Sequence, residues 1–478
     1  MERRHFLQLT AAGIIGQSLL GKHIRAASDV VTDRDQYGGW TGLQFTATGY
    51  FRTEKTDRWW LVTPEGNAFL SFGINHLYPD LWKQPYNQQA WLNRLGVESV
   101  NGPAFQKALR KWFLETCGDF GFNTVGVHTH LPTANSPRPA LPYMKSIKFI
   151  DVPHWKGDVP DENFLDVFAP EFTQHCDRLA QREAAPLRED PYVLGYAMTD
   201  CPLFTEEDLR ERTDTIGGAR RGSRIGWPRR FRNLPASTPG KQAYVKTVRG
   251  IYQDNISTFN TTYGTAFDSF EALAEAQGWR PETQLSNIAE TRDNAAFMVK
   301  VVDTYYRTTR DAIRRHDPNH MFFGDKLNAN SDSLDTMLEV TSRYTDVVFY
   351  QMYARYEVQR PGLDRWSRRV DLPFINGDSA FTMVTEHMPR PYGPIADTLA
   401  QRAEWTEAFM REAFARPEFV GWHYCGLIDA DMRVSRKQDR QHSGLLDGFG
   451  ESYPLLEKVI KNSADDLYQI ASNGLGGS

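Results

Sequence analysis

The sequence predicts an α/β fold, specifically a (β/α)8 barrel with a short N-terminal β-hairpin extension. Eight short apolar segments recur along the chain, separated by longer amphipathic stretches, which is the pattern of parallel strands alternating with helices. Most of these segments end on polar or aromatic side chains, as barrel strands do at the edge that carries chemistry. No G-x-G-x-x-G follows the first strand, so a doubly wound dinucleotide-binding sheet is disfavoured.

The first 27 residues have the order of an export signal. Arg3 and Arg4 precede an apolar stretch at 7–20, and the small residues Ala26 and Ala27 follow it. The Arg-Arg-His-Phe-Leu core resembles a twin-arginine signal. An ordinary N-terminal helix is the alternative. We expect the mature protein to be periplasmic or secreted and not to be held in a membrane, because the apolar stretch is short and interrupted.

Composition narrows the classes of partner. The 478-residue chain has a formal net charge of −5, whereas a general nucleic-acid binder would have a basic excess. The four cysteines form no C-x-x-C pair, which disfavours a disulfide scaffold or a structural zinc site and leaves one bridge open. We therefore expect no nucleic acid and an uncharged or locally matched substrate, and we expect no cofactor.

The predicted organisation is an extension at 28–68 followed by a barrel at 69–478. Within "RWWLVTPEGNAFLSFGIN", apolar runs flank a Pro-Glu-Gly-Asn turn, which predicts a hairpin. A helix closed by glycine is predicted at "FQKALRKWFLETCGDFG", and a long amphipathic helix before the fifth strand. The eight barrel strands are predicted at 69–75, 124–130, 147–152, 193–199, 321–327, 346–353, 372–378 and 419–426.

Polar and aromatic groups gather at the ends of these strands, where a barrel enzyme places its active site. Any one of them could be a helix cap or a rim residue, but their convergence predicts a functional site. In strand order the groups are Asn75 and His76; His128 and His130; Asp151 and His154; Asp200 and Cys201; Asp325, Lys326 and Asn328; Tyr350, Gln351 and Tyr353; Asp378; and Trp422, His423 and Tyr424.

Two carboxylates stand out because each ends an apolar strand. Asp200 ends the fourth strand and Asp378 the seventh, which sets them across the barrel mouth. Cleavage of a glycosidic bond needs one acid to protonate the leaving oxygen and a second carboxylate to attack the anomeric carbon or activate water. The alternatives are a helix N-cap for Asp378 and a simple turn for Asp200.

Several segments resemble the family-50 β-agarases and other clan-A barrel glycosidases. They are "DRWWLVTPEGNAFLSFGIN", "GFNTVGVHTH", "DPYVLGYAMTD", "LPFINGD" and "FVGWHYCGLID", in the same order and spacing, across roughly residues 58–447. The resemblance implies a glycoside hydrolase acting on a polysaccharide or its oligosaccharides, an algal galactan in particular. The family has Asn-Glu at the end of the fourth strand, where this chain has Asp200 and Cys201, and Gly-Glu at the seventh, where it has Gly377 and Asp378. Asp378 is then the nucleophile or base, and either Asp200 has taken over the acid/base role or the proton donor is lost.

An Asp side chain is one methylene shorter than Glu. Replacing both family acids should therefore widen the carboxyl gap by about 1 to 3 Å, which favours an inverting mechanism or a different anomer.

Further residues suit a sugar site. Trp422 could stack on a pyranose ring, and Tyr350 or Tyr353 could donate a hydrogen bond to Asp378. Arg-rich "ARRGSRIGWPRRFRN" follows Asp200, and its arginines could bind sulfate or carboxylate groups of an anionic substrate, although a solvated loop is the alternative. The predicted substrate-binding residues are Asn75, His76, His128, His130, Tyr350, Tyr353, Trp422, His423, Arg229 and Arg230.

Two other functions remain open on the sequence. His128-Thr129-His130 is an H-x-H on a strand, which with Asp429 or Asp431 could hold a metal in a metal-dependent barrel hydrolase. The altered Glu positions also fit a catalytically impaired barrel that only binds carbohydrate.

Overall fold

The architecture comes from a computed structural model. It describes residues 33–129, 141–150, 165–202, 204, 227–280, 287–330, 333–386, 388–429 and 443–474. The predicted export signal, His130, Asp151, His154, Asp431 and most of the Arg-rich segment lie outside these ranges, so their predictions stay predictions. Residues 34–478 form one compact unit.

Fourteen strands build three sheets in the described part of the chain. In chain order they are β1 (Trp40–Gln44), β2 (Arg52–Lys55), β3 (Trp59–Val62), β4 (Asn67–Phe69), β5 (Ser71–Ile74), β6 (Thr124–Val125), β7 (Tyr143–Ser146), β8 (Val193–Asp200), β9 (Met321–Asn328), β10 (Val348–Gln351), β11 (Phe374–Ser379), β12 (Thr382–Met383), β13 (Ile395–Ala396) and β14 (Phe419–Tyr424).

Eight of these strands form a closed barrel in the order β5-β6-β7-β8-β9-β10-β11-β14. Every neighbouring pair is parallel, and β14 closes the ring on β5. The predicted (β/α)8 barrel is therefore confirmed. Since all strands run the same way, their carboxyl ends share one rim.

The helices surround this barrel. They are α1 (Gln88–Leu95), α2 (Pro103–Phe120), α3 (Pro170–Glu183), α4 (Trp227–Arg232), α5 (Pro239–Ile251), α6 (Ile256–Tyr263), α7 (Phe270–Glu275), α8 (Ile288–His316), α9 (Ser333–Thr341), α10 (Tyr356–Trp366), α11 (Leu399–Phe414), α12 (Pro454–Asp465) and α13 (Leu467–Asn473). Helix α2 ends where predicted, at Gly121, whose φ of 78° suits glycine. The Asn287 side chain caps α8 by accepting from the Glu290 amide. Within the described ranges, no helix is long and apolar enough to cross a membrane.

The N-terminal extension is a four-stranded antiparallel sheet in the order β1-β4-β3-β2. The predicted hairpin is confirmed, because Leu61 pairs with Phe69 and Val62 with Ala68. Arg58 fastens this sheet to the barrel and its outer helices. Its guanidinium donates to the carbonyls of Phe414 and Ala471 at 2.9 Å and of Phe419 at 2.7 Å.

Two predicted barrel strands are misplaced. The third strand is Tyr143–Ser146 and not 147–152, because Tyr143 pairs with both Val125 and Val193, and these partners set its position. The second strand stops at Val125, short of the predicted residue 130. His128, at a φ of 60°, leaves the extended conformation and turns the chain over the rim.

Candidate functional site

Three charged side chains meet at the carboxyl rim of the barrel. Asp200 is the last residue of β8, Lys326 lies near the end of β9, and Asp378 near the end of β11. Lys326 Nζ donates to Asp378 Oδ2 at 2.5 Å and pairs with Asp200 Oδ1 at 3.2 Å. The lysine side chain is only 2% exposed, so a buried ammonium links the two predicted carboxylates.

Two histidines flank this link. The rings of His76 and His128 stack, with centroids 4.7 Å apart and planes inclined by 20°. His76 Nε2 lies 3.4 Å from Asp378 Oδ2, and His128 Nε2 lies 3.1 Å from Lys326 Nζ and 3.5 Å from Asp200 Oδ2. The structure thus brings together four of the predicted site residues around one lysine.

Left-handed backbone at the rim positions these groups. His76, His128 and Cys201 lie within three residues of the ends of β5, β6 and β8 and have φ values of 58°, 60° and 49°. Such values cost energy for residues other than glycine, and they concentrate where function fixes the backbone. Here they turn the two imidazoles toward the Asp378 and Asp200 carboxylates at the barrel mouth.

The predicted residue Asn75 supports Asp378 from the barrel interior. Its amide nitrogen donates to the Gly377 carbonyl at 2.7 Å and to Asp378 Oδ1 at 3.1 Å. Gly126 permits this approach, because a Cβ there would lie 1.9 Å from Asn75 Oδ1. Asp378 therefore has a donor on each of its oxygens.

Protonation at the site follows from burial and from Lys326. Burial alone would raise the pKa of Asp378, but the Lys326 ammonium and His76 outweigh it and hold that pKa well below its usual range. Burial lowers the pKa of His76 to about 4, and burial together with Lys326 lowers the pKa of His128. At neutral pH, Asp378 is therefore a carboxylate and both imidazoles are neutral.

The separation of the two carboxylates is limited by the lysine they share. Since Lys326 Nζ lies 2.5 Å from Asp378 Oδ2 and 3.2 Å from Asp200 Oδ1, these two oxygens are at most about 5.7 Å apart. Retaining glycosidases hold their carboxyl groups about 5 to 5.5 Å apart and inverting ones about 6.5 to 9.5 Å. The bound applies to one pair of oxygens and lies just above the retaining range; the widening relative to the family stays a prediction.

Cys201 occupies the position that the resemblance assigns to the acid/base Glu. Its backbone amide donates to the Lys326 carbonyl at 3.0 Å, and its thiol is fully buried. Burial raises the pKa of this thiol well above its usual value, with a further contribution from Asp200. A buried neutral thiol is a poor proton donor, so Asp200 is the better candidate for that role.

Two aromatic predictions are wrong. The Tyr350 hydroxyl donates to Gln359 Oε1 at 3.4 Å and its ring packs on Trp366, so it does not reach Asp378. Trp422 is 0% exposed, packs against Phe409, and donates from Nε1 to Ser379 Oγ. Adjacent strand residues point to opposite faces, and both aromatic rings fall on the helix side of the barrel wall.

His423, in contrast, points into the barrel below the site. Its Nε2 lies 2.8 Å from Ser71 Oγ, and burial lowers its pKa to about 3. It is fully buried and neutral, which suits a structural residue of the barrel interior better than the predicted contact with substrate.

Tyr353 is placed at the site, as predicted, although not as a simple donor to Asp378. Burial raises its pKa, with Asp378 and Cys425 contributing, and its ring packs on Tyr392 with centroids 4.3 Å apart. Tyr78 also lies at the mouth, half-buried, with its ring 5.9 Å from His76. Sequence reasoning gave no role to Tyr78 or Lys326, although Lys326 stood among the strand-end groups.

The three described arginines of the Arg-rich segment, Arg229, Arg230 and Arg232, are helical and not in an open loop. Arg229 and Arg230 lie in α4, where Arg229 is buried and Arg230 is half-buried. Their contact with an anionic substrate stays a prediction.

Among the described residues, His76, Asp378 and Cys425 form a group that could hold a metal, with ligand atoms within 4.8 Å of one another. They fit a cation poorly, because the Lys326 ammonium already occupies Asp378 Oδ2 and would repel a second positive charge. Asp429, the acid proposed to join His128, has both oxygens engaged. It accepts from the Gly444 amide at 2.6 Å and from the Tyr453 hydroxyl at 2.5 Å.

Comparisons with known proteins point to one group of enzymes. The chain is 21% identical over 522 residues to β-agarase B of Vibrio sp. (strain JT0107), covering 94% of this chain and 52% of the relative. It is also 21% identical over 470 residues to β-agarase A of the same strain, covering 85% and 45%. The chain thus spans about half the length of these curated relatives. No family model matches it.

Solved structures agree on the fold. The crystal structure of an agarase superposes with a TM-score of 0.74 at 18% identity, covering 92% of this chain and 68% of the other. An exo-β-agarase gives the same values. The class defined by fold and site is a (β/α)8 barrel with paired carboxylates at its rim. Within that class, the predicted resemblance to β-agarases is confirmed.

Proposed function

We propose that the protein is a glycoside hydrolase that cleaves a galactan polysaccharide or its oligosaccharides. One observation carries the proposal: Asp200 and Asp378 end the fourth and seventh barrel strands, and their oxygens face each other across one ammonium. The similarity to β-agarases supports the galactan as the substrate class.

Asp378 acts as the nucleophile in this proposal. It is ionised, and donors on both oxygens hold it in one orientation, which leaves its remaining lone pairs to meet the anomeric carbon. Asp200 acts as acid and then base. Its side chain is 19% exposed, whereas that of Asp378 is 5% exposed. Asp200 therefore lies nearer the solvent, into which the leaving group departs and from which the hydrolytic water enters.

The stereochemistry follows from the spacing. With the facing oxygens at most about 5.7 Å apart, no room is left for a water between carboxylate and sugar, so the product should retain the anomeric configuration. Proton NMR of the first-formed product gives the answer directly, and an inverted product would contradict this assignment.

The test of the activity is incubation with agarose, its oligosaccharides and sulfated galactans, followed by measurement of new reducing ends. Asp378→Asn should abolish turnover, and Asp200→Asn should lower it by about 10² to 10⁴-fold because a general acid is lost. Asp293→Asn is the matched control, since Asp293 is a buried acid on α8 that accepts from the Tyr252 and Tyr263 hydroxyls. Sugar binding without any turnover would favour the catalytically impaired barrel instead.

The finer proposal of a sulfated galactan rests on Arg229 and Arg230. Arg229→Gln and Arg230→Gln should raise KM for sulfated oligosaccharides more than for neutral ones. Equal KM values for both substrate classes across these variants would remove the sulfated substrate and leave the glycosidase proposal standing. Export to the periplasm or beyond is also proposed, and microscopy of a fusion carrying residues 1–27 tests it.

A further inference from the structure

Lys326 has an unusual set of partners for a buried lysine. Its Nζ lies within 3.2 Å of three acceptors, namely Asp378 Oδ2, His128 Nε2 and Asp200 Oδ1. The ammonium hydrogen-bonds to Asp378 and His128, and its contact with Asp200 Oδ1 is an ion pair. The neutral His128 then accepts at Nε2 and carries its own proton on Nδ1, which fixes its tautomer.

A second buried lysine shows what a purely structural role looks like. Lys241 on α5 is fully buried and donates to the backbone carbonyls of Arg232 and Ala276. Lys326 instead spans side chains from three other barrel strand ends. Without it, Asp378 would lose the buried counter-ion on Oδ2, and Asp200 would lose the group that pairs it with Asp378.

We propose that Lys326 is a positioning residue that sets the separation of Asp200 and Asp378, an inference that rests on the proposed glycosidase function. Its ammonium holds two short carboxylates near the spacing at which a nucleophile and an acid/base work on one bond. It thereby offsets the missing methylene of each Asp. The side chain acts through the carboxylates and not on the sugar, because at 2% exposure it is covered by them.

The first experiment compares Lys326→Met, Lys326→Ala and Lys326→Arg with Lys241→Met on agarose oligosaccharides. We expect Lys326→Met to lower kcat by about 10²-fold while KM changes less than about threefold, since misplacing reacting groups by about 1 Å costs that much. Lys241→Met controls for the loss of a buried ammonium and should keep kcat within about threefold. Lys326→Arg should keep more activity than Lys326→Met, because it retains a charge between the acids.

Chemical rescue separates positioning from folding. Lys326→Ala leaves a space that an added alkylammonium can enter. Ethylammonium should therefore raise the kcat of Lys326→Ala at least about tenfold over its value without the salt. Tetramethylammonium carries the same charge without N–H donors and should not restore it. Equal effects of both salts, or none, would contradict the proposed role.

A crystal structure of Lys326→Met answers the question even if the wild-type protein proves inactive on every galactan. The separation of the Asp200 and Asp378 carboxylates should widen beyond that of the wild type. An unchanged separation overturns the positioning role, whereas wild-type inactivity with a widened gap overturns only the glycosidase function.

Discussion

Asp325 provides a pH test of the rim that needs no substrate. It precedes Lys326 on β9 but points to the opposite face, where it is 1% exposed. Its Oδ1 accepts from the Thr199 amide at 2.8 Å and from the Tyr305 hydroxyl at 3.3 Å. Burial raises its pKa from 3.8 to about 7, since these donors recover only part of the hydration that the charged form loses.

The sign of the effect on stability follows from linkage. Well below pH 3.8 the carboxyl is protonated in both the folded and the unfolded state and does not affect the free energy of unfolding. As the pH rises toward 7, the unfolded chain releases the proton while the folded protein keeps it, so stability is lost across that interval. With a shift from 3.8 to about 7, the total loss is about 4 kcal/mol, of which about 2 to 3 kcal/mol falls between pH 5 and pH 8.

Asp325→Asn removes this titration while keeping an oxygen for the Thr199 amide. Urea unfolding at pH 5 and pH 8 measures the free energy of unfolding of both proteins. The wild type should lose about 2 to 3 kcal/mol more than the variant between these pH values, whatever their difference at pH 5. Because every other titrating group is common to both proteins, parallel losses would refute the assigned pKa and its cause.

Two more predictions test the placement of buried side chains. Trp422→Ala should lower the free energy of unfolding by about 3 to 5 kcal/mol, because it leaves a large cavity between β14 and α11. The same variant should keep KM for soluble oligosaccharides within about threefold. A stable variant with a tenfold higher KM would instead support the predicted stacking of Trp422 on a sugar ring. Arg58→Met should lower the free energy of unfolding, measured by calorimetry, by about 3 kcal/mol or more, because three backbone carbonyls lose their donor. In the control variant Arg52→Met, which loses only an exposed hydrogen bond, the free energy of unfolding should change by less than about 0.5 kcal/mol. Similar losses in both arginine variants would mean that Arg58 does not fasten the N-terminal sheet to the barrel.

The comparison of prediction with structure shows which features are local. The fourth barrel strand was predicted at 193–199 and observed as Val193–Asp200, because a continuous apolar run closed by polar residues specifies a buried parallel strand. The Pro-Glu-Gly-Asn turn likewise identified its hairpin. The third strand was misplaced because the stretch from Tyr143 onward contains several short apolar runs, and only pairing with its neighbours selects one.

The sequence by itself determined the barrel, the positions of Asp200 and Asp378 at opposite strand ends, and the similarity to agarases, since each depends on order and local pattern. Only the tertiary structure decided which face each rim residue presents. Strand register sends His423 inward and its neighbour Trp422 outward. It also sets Lys326 beside Asp200, so that one ammonium, unremarkable in the sequence, meets two carboxylates from distant parts of the chain.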